Sequence, residues 1–270
     1  MKNLFLAITV VASLTACKND KTATSEVVEE TKEVIMDNTA MATNYPDAMS
    51  AIFKAHGGMD NWNKMNNLCF EMEGRAGVET HTTSLKDRKS KIEAKDWTIG
   101  YDGPDVWLLQ NQEEAFKGNA RFYHNLMFYF CAMPFIVGDD GIQYEAVPPT
   151  ELDGVMYPGI KISYNAGVGD SPDDEYIVYY DDATKQMTWL GYTVTYRSQE
   201  KSDKWSFIKY ADWQEVNGLV LPKKLTWYNV EEGKPTTERN DMLFTKVTST
   251  ETVLTPAVFE KPDQAVVVEK

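Results

Sequence analysis

Short segments of alternating apolar and polar residues dominate the chain after residue 67, and this period of two predicts β-strands. Residues 160–164 (Ile-Lys-Ile-Ser-Tyr) show it clearly, because every second side chain is apolar. Turn residues separate the strands, as at 102–104 (Asp-Gly-Pro) and 216–218 (Val-Asn-Gly), which favours a meandering antiparallel sheet. The predicted strands cover residues 68–73, 78–85, 90–94, 97–101, 106–110, 142–147, 159–164, 175–180, 187–196, 205–215, 220–229 and 238–248.

Two segments have a helical pattern instead. Ala48, Ile52, Phe53 and His56 repeat at helical spacing, which predicts a helix that Gly57 ends. Residues 119–133 are apolar on almost every side and are followed by a proline. This composition predicts a helix that is buried on several faces. The chain is therefore expected to be mostly β, with a few helices.

The N-terminus has the three parts of a secretory signal. Lys2 is positive, residues 4–12 are apolar, and the small-residue sequence Leu-Thr-Ala precedes Cys17. The apolar run is far shorter than the ~20 residues that span a bilayer. A cysteine after Leu-Thr-Ala resembles the bacterial lipobox, in which the thiol receives a diacylglycerol. We therefore expect residues 1–16 to be a lipoprotein signal peptide and Cys17 to be lipidated; the alternative is a secreted protein with a chance cysteine.

The composition changes twice along the chain. Residues 17–44 are acidic and contain no aromatic residue, which predicts a flexible tether behind the lipidated cysteine. Residues 45–262 are expected to form one domain, and residues 263–270 a disordered tail. The net charge of −14 argues against nucleic acid as a partner and against a polybasic membrane surface. The lipid anchor is therefore the expected link to the membrane.

No catalytic or metal-binding motif is visible. The three histidines, at 56, 81 and 124, are not spaced as metal ligands, and we expect a helix-closing, a surface and a core residue, respectively. Cys69 and Cys131 lie among apolar neighbours, which favours two buried thiols over a disulfide. The acidic loops 139–140 and 170–175 are read as solvated turns rather than calcium sites. No cofactor and no metal are predicted.

Aromatic residues are the most distinctive feature of the predicted sheet. Six of the seven tryptophans fall in predicted strands: Trp97, Trp107, Trp189, Trp205, Trp213 and Trp227. Large aromatics commonly fill the space beneath a curved sheet, so core packing explains any single one of them. As a group they also suit a cavity for an apolar ligand, closed by the helix at 119–133.

Five motifs resemble a family of uncharacterised bacterial envelope lipoproteins: residues 55–58 (Ala-His-Gly-Gly), 99–109, 123–130, 157–162 (Tyr-Pro-Gly-Ile-Lys-Ile) and 217–222. The resemblance covers about residues 48–260. That family is similar in architecture to the LolA, LppX and RseB group. The resemblance implies a strongly curved antiparallel half-barrel with helices packed on its concave side. It also implies a lipid, an acyl chain or a lipoprotein held in that concavity, and it carries over no catalytic residue.

These observations favour a lipid-anchored envelope protein that binds or carries an apolar ligand. The residues expected to contact it are five aromatics: Trp107, Phe122, Phe128, Phe130 and Phe135. One alternative is a protein–protein interaction module without a ligand. Another is a hydrolase with inward-facing carboxylates. We expect a monomer, and the residues after Cys17 favour the outer membrane because no aspartate follows it directly.

Overall fold

The computed structural model describes residues 45–165, 173–196, 198 and 200–269. The expected signal peptide, Cys17 and the tether at 17–44 lie outside the described residues. Two helices begin the described part, α1 (Asp47–Ala55) and α2 (Met59–Lys64). α1 buries Ile52 and Phe53, as their spacing predicts, together with Met49.

The strands of the described residues build two seven-stranded sheets and one small ribbon. In chain order the strands are β1 (Asn67–Gly74), β2 (Gly77–Ser84), β3 (Ser90–Glu93), β4 (Trp97–Tyr101), β5 (Val106–Gln110), β6 (Ile142–Leu152), β7 (Val155–Tyr164), β8 (Tyr176–Tyr180), β9 (Met187–Tyr192), β10 (Ser206–Ala211), β11 (Gln214–Val216), β12 (Leu219–Leu221), β13 (Lys224–Glu231), β14 (Lys234–Leu243), β15 (Thr245–Thr250) and β16 (Val266–Val267).

Both large sheets are antiparallel throughout. The first has the order β15-β1-β2-β3-β4-β5-β16, and the second has the order β14-β13-β10-β9-β8-β7-β6. Phe244 alone separates β14 from β15, so the chain passes directly from one sheet to the other. The Phe244 side chain is fully buried, and its ring packs edge-on against Phe70 at 5.0 Å. This buried corner joins the sheets into a curved half-barrel that does not close, as the sequence resemblance implies.

The interior is filled by side chains from both sheets and from the helices. One continuous core contains Phe70 of the first sheet, Ile162 and Ile208 of the second, and Ile52 of α1. The helices therefore pack on the concave side, between the inner faces of the two sheets. Among the described residues, no helix is both long enough and apolar enough to cross a membrane.

The segment predicted as one helix at 119–133 is instead two short ones, α3 (Ala120–Tyr123) and α4 (Leu126–Cys131). The Asn119 side chain accepts a hydrogen bond from the Phe122 N–H at 2.9 Å and caps α3. Asn125 then leaves helical geometry, with φ −128° and ψ −2°, so the helix breaks before α4 begins. A 3-10 turn, Phe135–Gly138, follows α4, and all four of its residues are buried.

The predicted tail at 263–270 is wrong for its described residues, because the C-terminus returns to the first sheet. Val266 and Val267 pair with Leu108 and Trp107, and the Val268 N–H donates to the Val106 carbonyl at 2.8 Å. This pairing covers the backbone of β5, which would otherwise be an exposed strand edge. The domain therefore extends beyond residue 262.

Candidate ligand-binding site

Two cavities lie on either side of the α3–α4 segment, between it and the sheets. Both are lined by Arg121, Asn125 and Tyr129 of this segment, so these three residues lie where the two cavities adjoin. The first cavity measures about 210 Å³ and the second about 190 Å³. Each alone is below the ~300 Å³ of a typical ligand pocket, whereas the two together reach it.

Aromatic residues are the largest group in the lining of the first cavity. Its apolar and tyrosine lining consists of Phe122, Leu126, Tyr129, Phe130, Ile136, Tyr164, Tyr176 and Tyr196. The Phe122 and Tyr196 rings lie 4.9 Å apart, and those of Tyr164 and Tyr176 lie 6.1 Å apart. Rigid rings with polar tips offer a large contact area for an amphiphilic molecule.

Three aspartates complete the wall of the first cavity, namely Asp139, Asp140 and Asp174. One Asp174 oxygen accepts from the N–H of Thr195 at 2.6 Å and from its hydroxyl at 2.7 Å. Burial raises the pKa of the Asp174 carboxyl, and the bonds from Thr195 oppose this shift. Burial likewise raises the pKa of Asp139, although the Arg88 cation counteracts it. These inward carboxylates are the feature that the hydrolase alternative requires.

The second cavity has the opposite charge. Its lining contains Arg88, Arg121 and His124 and no aspartate or glutamate; the other lining residues are Thr83, Ser90, Tyr101, Asn125, Phe128 and Tyr129. The Ser90 hydroxyl donates to the His124 carbonyl at 3.1 Å and so ties β3 to the end of α3. The charged side chains of this lining are all basic, and Asp139, which pairs with Arg88, lies outside it.

Arg88 stands at the boundary between the two cavities. Its Nη2 donates to both carboxylate oxygens of Asp139 at 2.6 Å, and its guanidinium lies 5.4 Å from the centre of the Phe128 ring. Nη1 is buried and has no hydrogen-bond partner among the described residues. The backbone of Arg88 has φ +59°, a left-handed conformation that non-glycine residues seldom adopt. The β2–β3 turn therefore holds this side chain in an unusual position.

The structure separates the five aromatic residues predicted to bind a ligand. Phe122 and Phe130 line the first cavity, and Phe128 lines the second. Trp107 and Phe135 line neither of these cavities. Trp107 packs on Gly100 and donates its indole N–H to the Phe259 carbonyl at 3.1 Å. Phe135 stacks on Trp62 with the ring centres 4.9 Å apart, and both rings belong to the core.

The sequence pattern missed the polar and tyrosine side chains of the two cavities. Arg88, Asp139 and Asp174 follow predicted strands or helices in loops, where charged residues are usually solvated. Their shared surroundings arise from contacts between distant parts of the chain, such as Arg88 with Asp139. One feature of the sequence does place two of the tyrosines near each other. Tyr164 ends β7 and Tyr176 begins β8, so they flank the same loop.

The three histidines are all buried. His56 closes α1, as predicted, and His124 is a core residue, as predicted. His81 was predicted at the surface, which is wrong, because its ring stacks on Phe70 at 4.6 Å between the centres. His81 Nε2 lies 3.3 Å from Glu79, a carboxylate that also accepts a 2.7 Å hydrogen bond from Tyr123. This contact fixes α3 against β2.

Cys69 and Cys131 are free thiols in the structure. Cys131 is fully buried, and burial raises the pKa of its thiol. Cys69 is partly buried, and burial raises its pKa as well. Within the described ranges, no group of three or more histidine, cysteine, aspartate or glutamate side chains is placed to hold a metal ion.

Comparison with known proteins finds similarity at the level of solved structures. No family model and no curated protein sequence matches the chain. A DUF1329 family protein from Desulfovibrio piger is 14% identical, with a TM-score of 0.47 over 80% of this chain and 98% of that one. A LolA superfamily protein from Nitrosomonas europaea is 9% identical, with a TM-score of 0.47 over 80% of this chain and 99% of that one.

The lipoprotein LppX from Mycobacterium tuberculosis also matches, at 9% identity and a TM-score of 0.24, over 54% of this chain and 88% of LppX. The LolA and LppX architectures that the sequence motifs imply are thus among the structural neighbours. Identity and TM-score are low in every case, so these likenesses say nothing about the ligand. The chain is accordingly described by its own fold, an antiparallel half-barrel that does not close.

Proposed function

We propose that this chain is a lipid-anchored protein of the bacterial cell envelope that binds an apolar or amphiphilic ligand between α3–α4 and the curved sheets. The observation that carries the proposal is the pair of adjoining cavities that share Arg121, Asn125 and Tyr129. A half-barrel interior filled completely by side chains would leave no room for a ligand. In this structure, side chains leave a cavity unfilled on each side of the α3–α4 segment.

The anchor and the location belong to the same proposal. The sequence around Cys17 favours lipid attachment, and the residues after it favour the outer membrane. Each buried CH₂ of an attached chain contributes ~0.8 kcal/mol to membrane binding, so two or three acyl chains retain a domain at the bilayer. A ligand that partitions into membranes would then be present at high local concentration beside the site. The ligand that this protein binds is therefore a lipid, an acyl chain or the lipidated end of another protein.

The lining of the first cavity also limits the ligand. A cavity of about 210 Å³ accommodates one chain or a small ring system, rather than a lipid with several chains. Burial of apolar area supplies ~25 cal/mol per Å², so a single short chain can bind with useful affinity. The tyrosine hydroxyls and aspartates in the wall favour a molecule that also has polar groups.

Filling the first cavity is expected to weaken binding. Leu126 lines that cavity from the first turn of α4, and Leu126→Trp would place an indole in the space of the ligand. We expect the affinity for N-phenylnaphthylamine, a neutral apolar dye, to fall by about tenfold or more, equivalent to ~1.4 kcal/mol. Fluorescence titration of the purified full chain measures this change.

Leu243→Trp is the matched control, because Leu243 lies on β14 with half of its surface exposed and lines neither cavity. It should bind the dye like the unmodified protein. Equal affinities for all three proteins would contradict the site. Mass spectrometry of an organic extract of the unmodified protein should in addition reveal a co-purified lipid-like molecule.

A hydrolase remains the second candidate, because Asp139 and Asp174 face one cavity and burial raises the pKa of both carboxyls. A carboxylic acid with a raised pKa can act as a proton donor. Hydrolysis of nitrophenyl esters or glycosides by the purified chain, lost in Asp174→Asn, would support this candidate. Absence of turnover by the unmodified chain would count against it.

A further inference from the structure

The two cavities carry opposite charge, and this asymmetry bears on the ligand. The first contains Asp139, Asp140 and Asp174, with Arg121 as its only basic lining residue. The second contains Arg88, Arg121 and His124, with no acidic lining residue. An anionic group would therefore be repelled from the first cavity and attracted to the second.

Arg88 supplies the specific donor. Its Nη2 is engaged by Asp139, whereas Nη1 is buried and without a partner among the described residues. A buried donor of a charged group that makes no hydrogen bond costs free energy, and a ligand oxygen would remove that cost. Hydrogen bonds between a guanidinium and a carboxylate or phosphate are also among the strongest available to a protein.

The position of Arg88 is imposed by the fold. The left-handed backbone at φ +59° sets the direction of the side chain at the β2–β3 turn. The Phe128 ring, 5.4 Å from the guanidinium, and the Asp139 carboxylate then hold it from two sides. A guanidinium fixed in this way loses little conformational entropy when an anion binds.

We propose that Arg88 and Arg121 make the second cavity an anion subsite, which takes the carboxylate or phosphate head of an amphiphile whose chain lies in the first cavity. This inference rests on the proposed function and deepens it by naming the head group. Arg121, Asn125 and Tyr129 line both cavities and therefore lie between the two subsites. Asp139 competes with the ligand for Arg88 and limits the affinity.

Four probes with the same twelve-carbon chain test the charge preference by isothermal titration calorimetry of the purified full chain. They are dodecanoate, dodecyl phosphate, uncharged dodecanol and cationic dodecylamine. We expect dodecanoate or dodecyl phosphate to bind about tenfold or more tightly than dodecanol, and dodecylamine to bind no better than dodecanol. The better of the two anions identifies whether the head is a carboxylate or a phosphate.

Two variants at the ion pair should act in opposite directions. Arg88→Gln should weaken the better anion by about ten- to a hundredfold and leave dodecanol unchanged, because it removes charge-assisted hydrogen bonds only. Asp139→Asn should strengthen the same anion, since it removes the competitor. Mere damage to the fold would weaken binding in both variants. Arg239→Gln, an exposed arginine on β14, controls for the change in net charge.

Other results would overturn the anion subsite alone or the proposed function together with it. Equal binding of dodecanol and both anions, or a preference for dodecylamine, overturns the anion subsite and leaves the proposed apolar-ligand function standing. Equal weakening of anions and dodecanol by Arg88→Gln does the same. Failure of all four probes to bind overturns the proposed function and the anion subsite with it.

Discussion

Gly100→Ala is expected to lower the free energy of unfolding by about 3 kcal/mol. Gly100 pairs with Trp107 across β4 and β5, and the indole covers the glycine. A Cβ at position 100 would lie 2.1 Å from Trp107 Cζ2 and 2.2 Å from Cε2. The indole cannot move away, because it is buried and bonded to the Phe259 carbonyl. The methyl group must therefore displace a rigid ring, which is a costly form of overpacking.

Gly191→Ala is the matched control for this prediction. Gly191 is also buried in a strand interior, but its Cβ would meet neighbours only at 3.4 Å and beyond, which is ordinary contact. Its unfolding free energy should stay within about 0.5 kcal/mol of the unmodified chain. Urea denaturation followed by tryptophan fluorescence compares the two variants. Similar losses of unfolding free energy in both variants would show that the contact with Trp107 does not cause the destabilisation.

A double substitution separates the contact from other effects. Trp107→Leu alone should destabilise the chain by creating a cavity, and the pair Gly100→Ala with Trp107→Leu should cost less than the sum of the two. This result would confirm Trp107 as a packing residue, held by Gly100 and by the C-terminal segment. The same indole was a candidate for ligand binding on sequence grounds, since a buried tryptophan on a strand has no pattern that distinguishes the two roles.

The sequence predicted where most strands lie, whereas the sheet order and several strand ends could not be predicted from it. β4 and β5 have the predicted bounds because turn residues delimit both of them. The predicted strand at 238–248 is divided at Phe244, where the chain changes sheets. That division depends on a buried corner between two sheets, and the alternation of side chains continues through it. β16 was missed because two valines carry no signal until β5 provides a partner.

The candidate site was predictable only in its phenylalanines. Phe122, Phe128 and Phe130 were identified because an apolar segment among strands is a natural filling for a curved sheet. Arg88 and Asp139 lie 51 positions apart in sequence and meet through the tertiary fold. Nothing local marks Arg88 either, since its left-handed backbone belongs to a turn without glycine. Charge in loops was therefore read as solvation, which is the usual case.

Acidification from pH 7 to pH 4 is expected to destabilise the chain through His56. The His56 ring is fully buried, its Nδ1–H donates to the Val220 carbonyl at 2.9 Å, and Nε2 accepts from the Met187 N–H at 3.1 Å. These roles require the neutral ring, because a protonated Nε2 cannot accept. Burial lowers the pKa of His56 from 6.5 to about 4, although the bond to Val220 acts in the opposite direction.

The direction of this pH effect follows from the different protonation of His56 in the native and the unfolded chain. Between pH 6.5 and pH 4 the unfolded chain protonates His56 and the native chain does not, so unfolding takes up a proton. The contribution of His56 to the free energy of unfolding is complete above about pH 6.5 and is lost progressively as the pH falls to about 4. The total loss is about 3 kcal/mol. Burial also lowers the pKa of His81, which adds a loss of the same sign.

The comparison of the unmodified chain with His56→Gln isolates this residue. Asp139 and Asp174 have raised pKa values in the native state and so oppose the loss just above pH 4, but they contribute equally to both proteins. Glutamine can donate and accept without titrating. We expect its stability deficit, measured by urea denaturation, to shrink by about 3 kcal/mol between pH 7 and pH 4. Parallel stability curves would mean that His56 is protonated as readily in the native chain as in the unfolded one, and that the Met187 N–H does not hold it neutral.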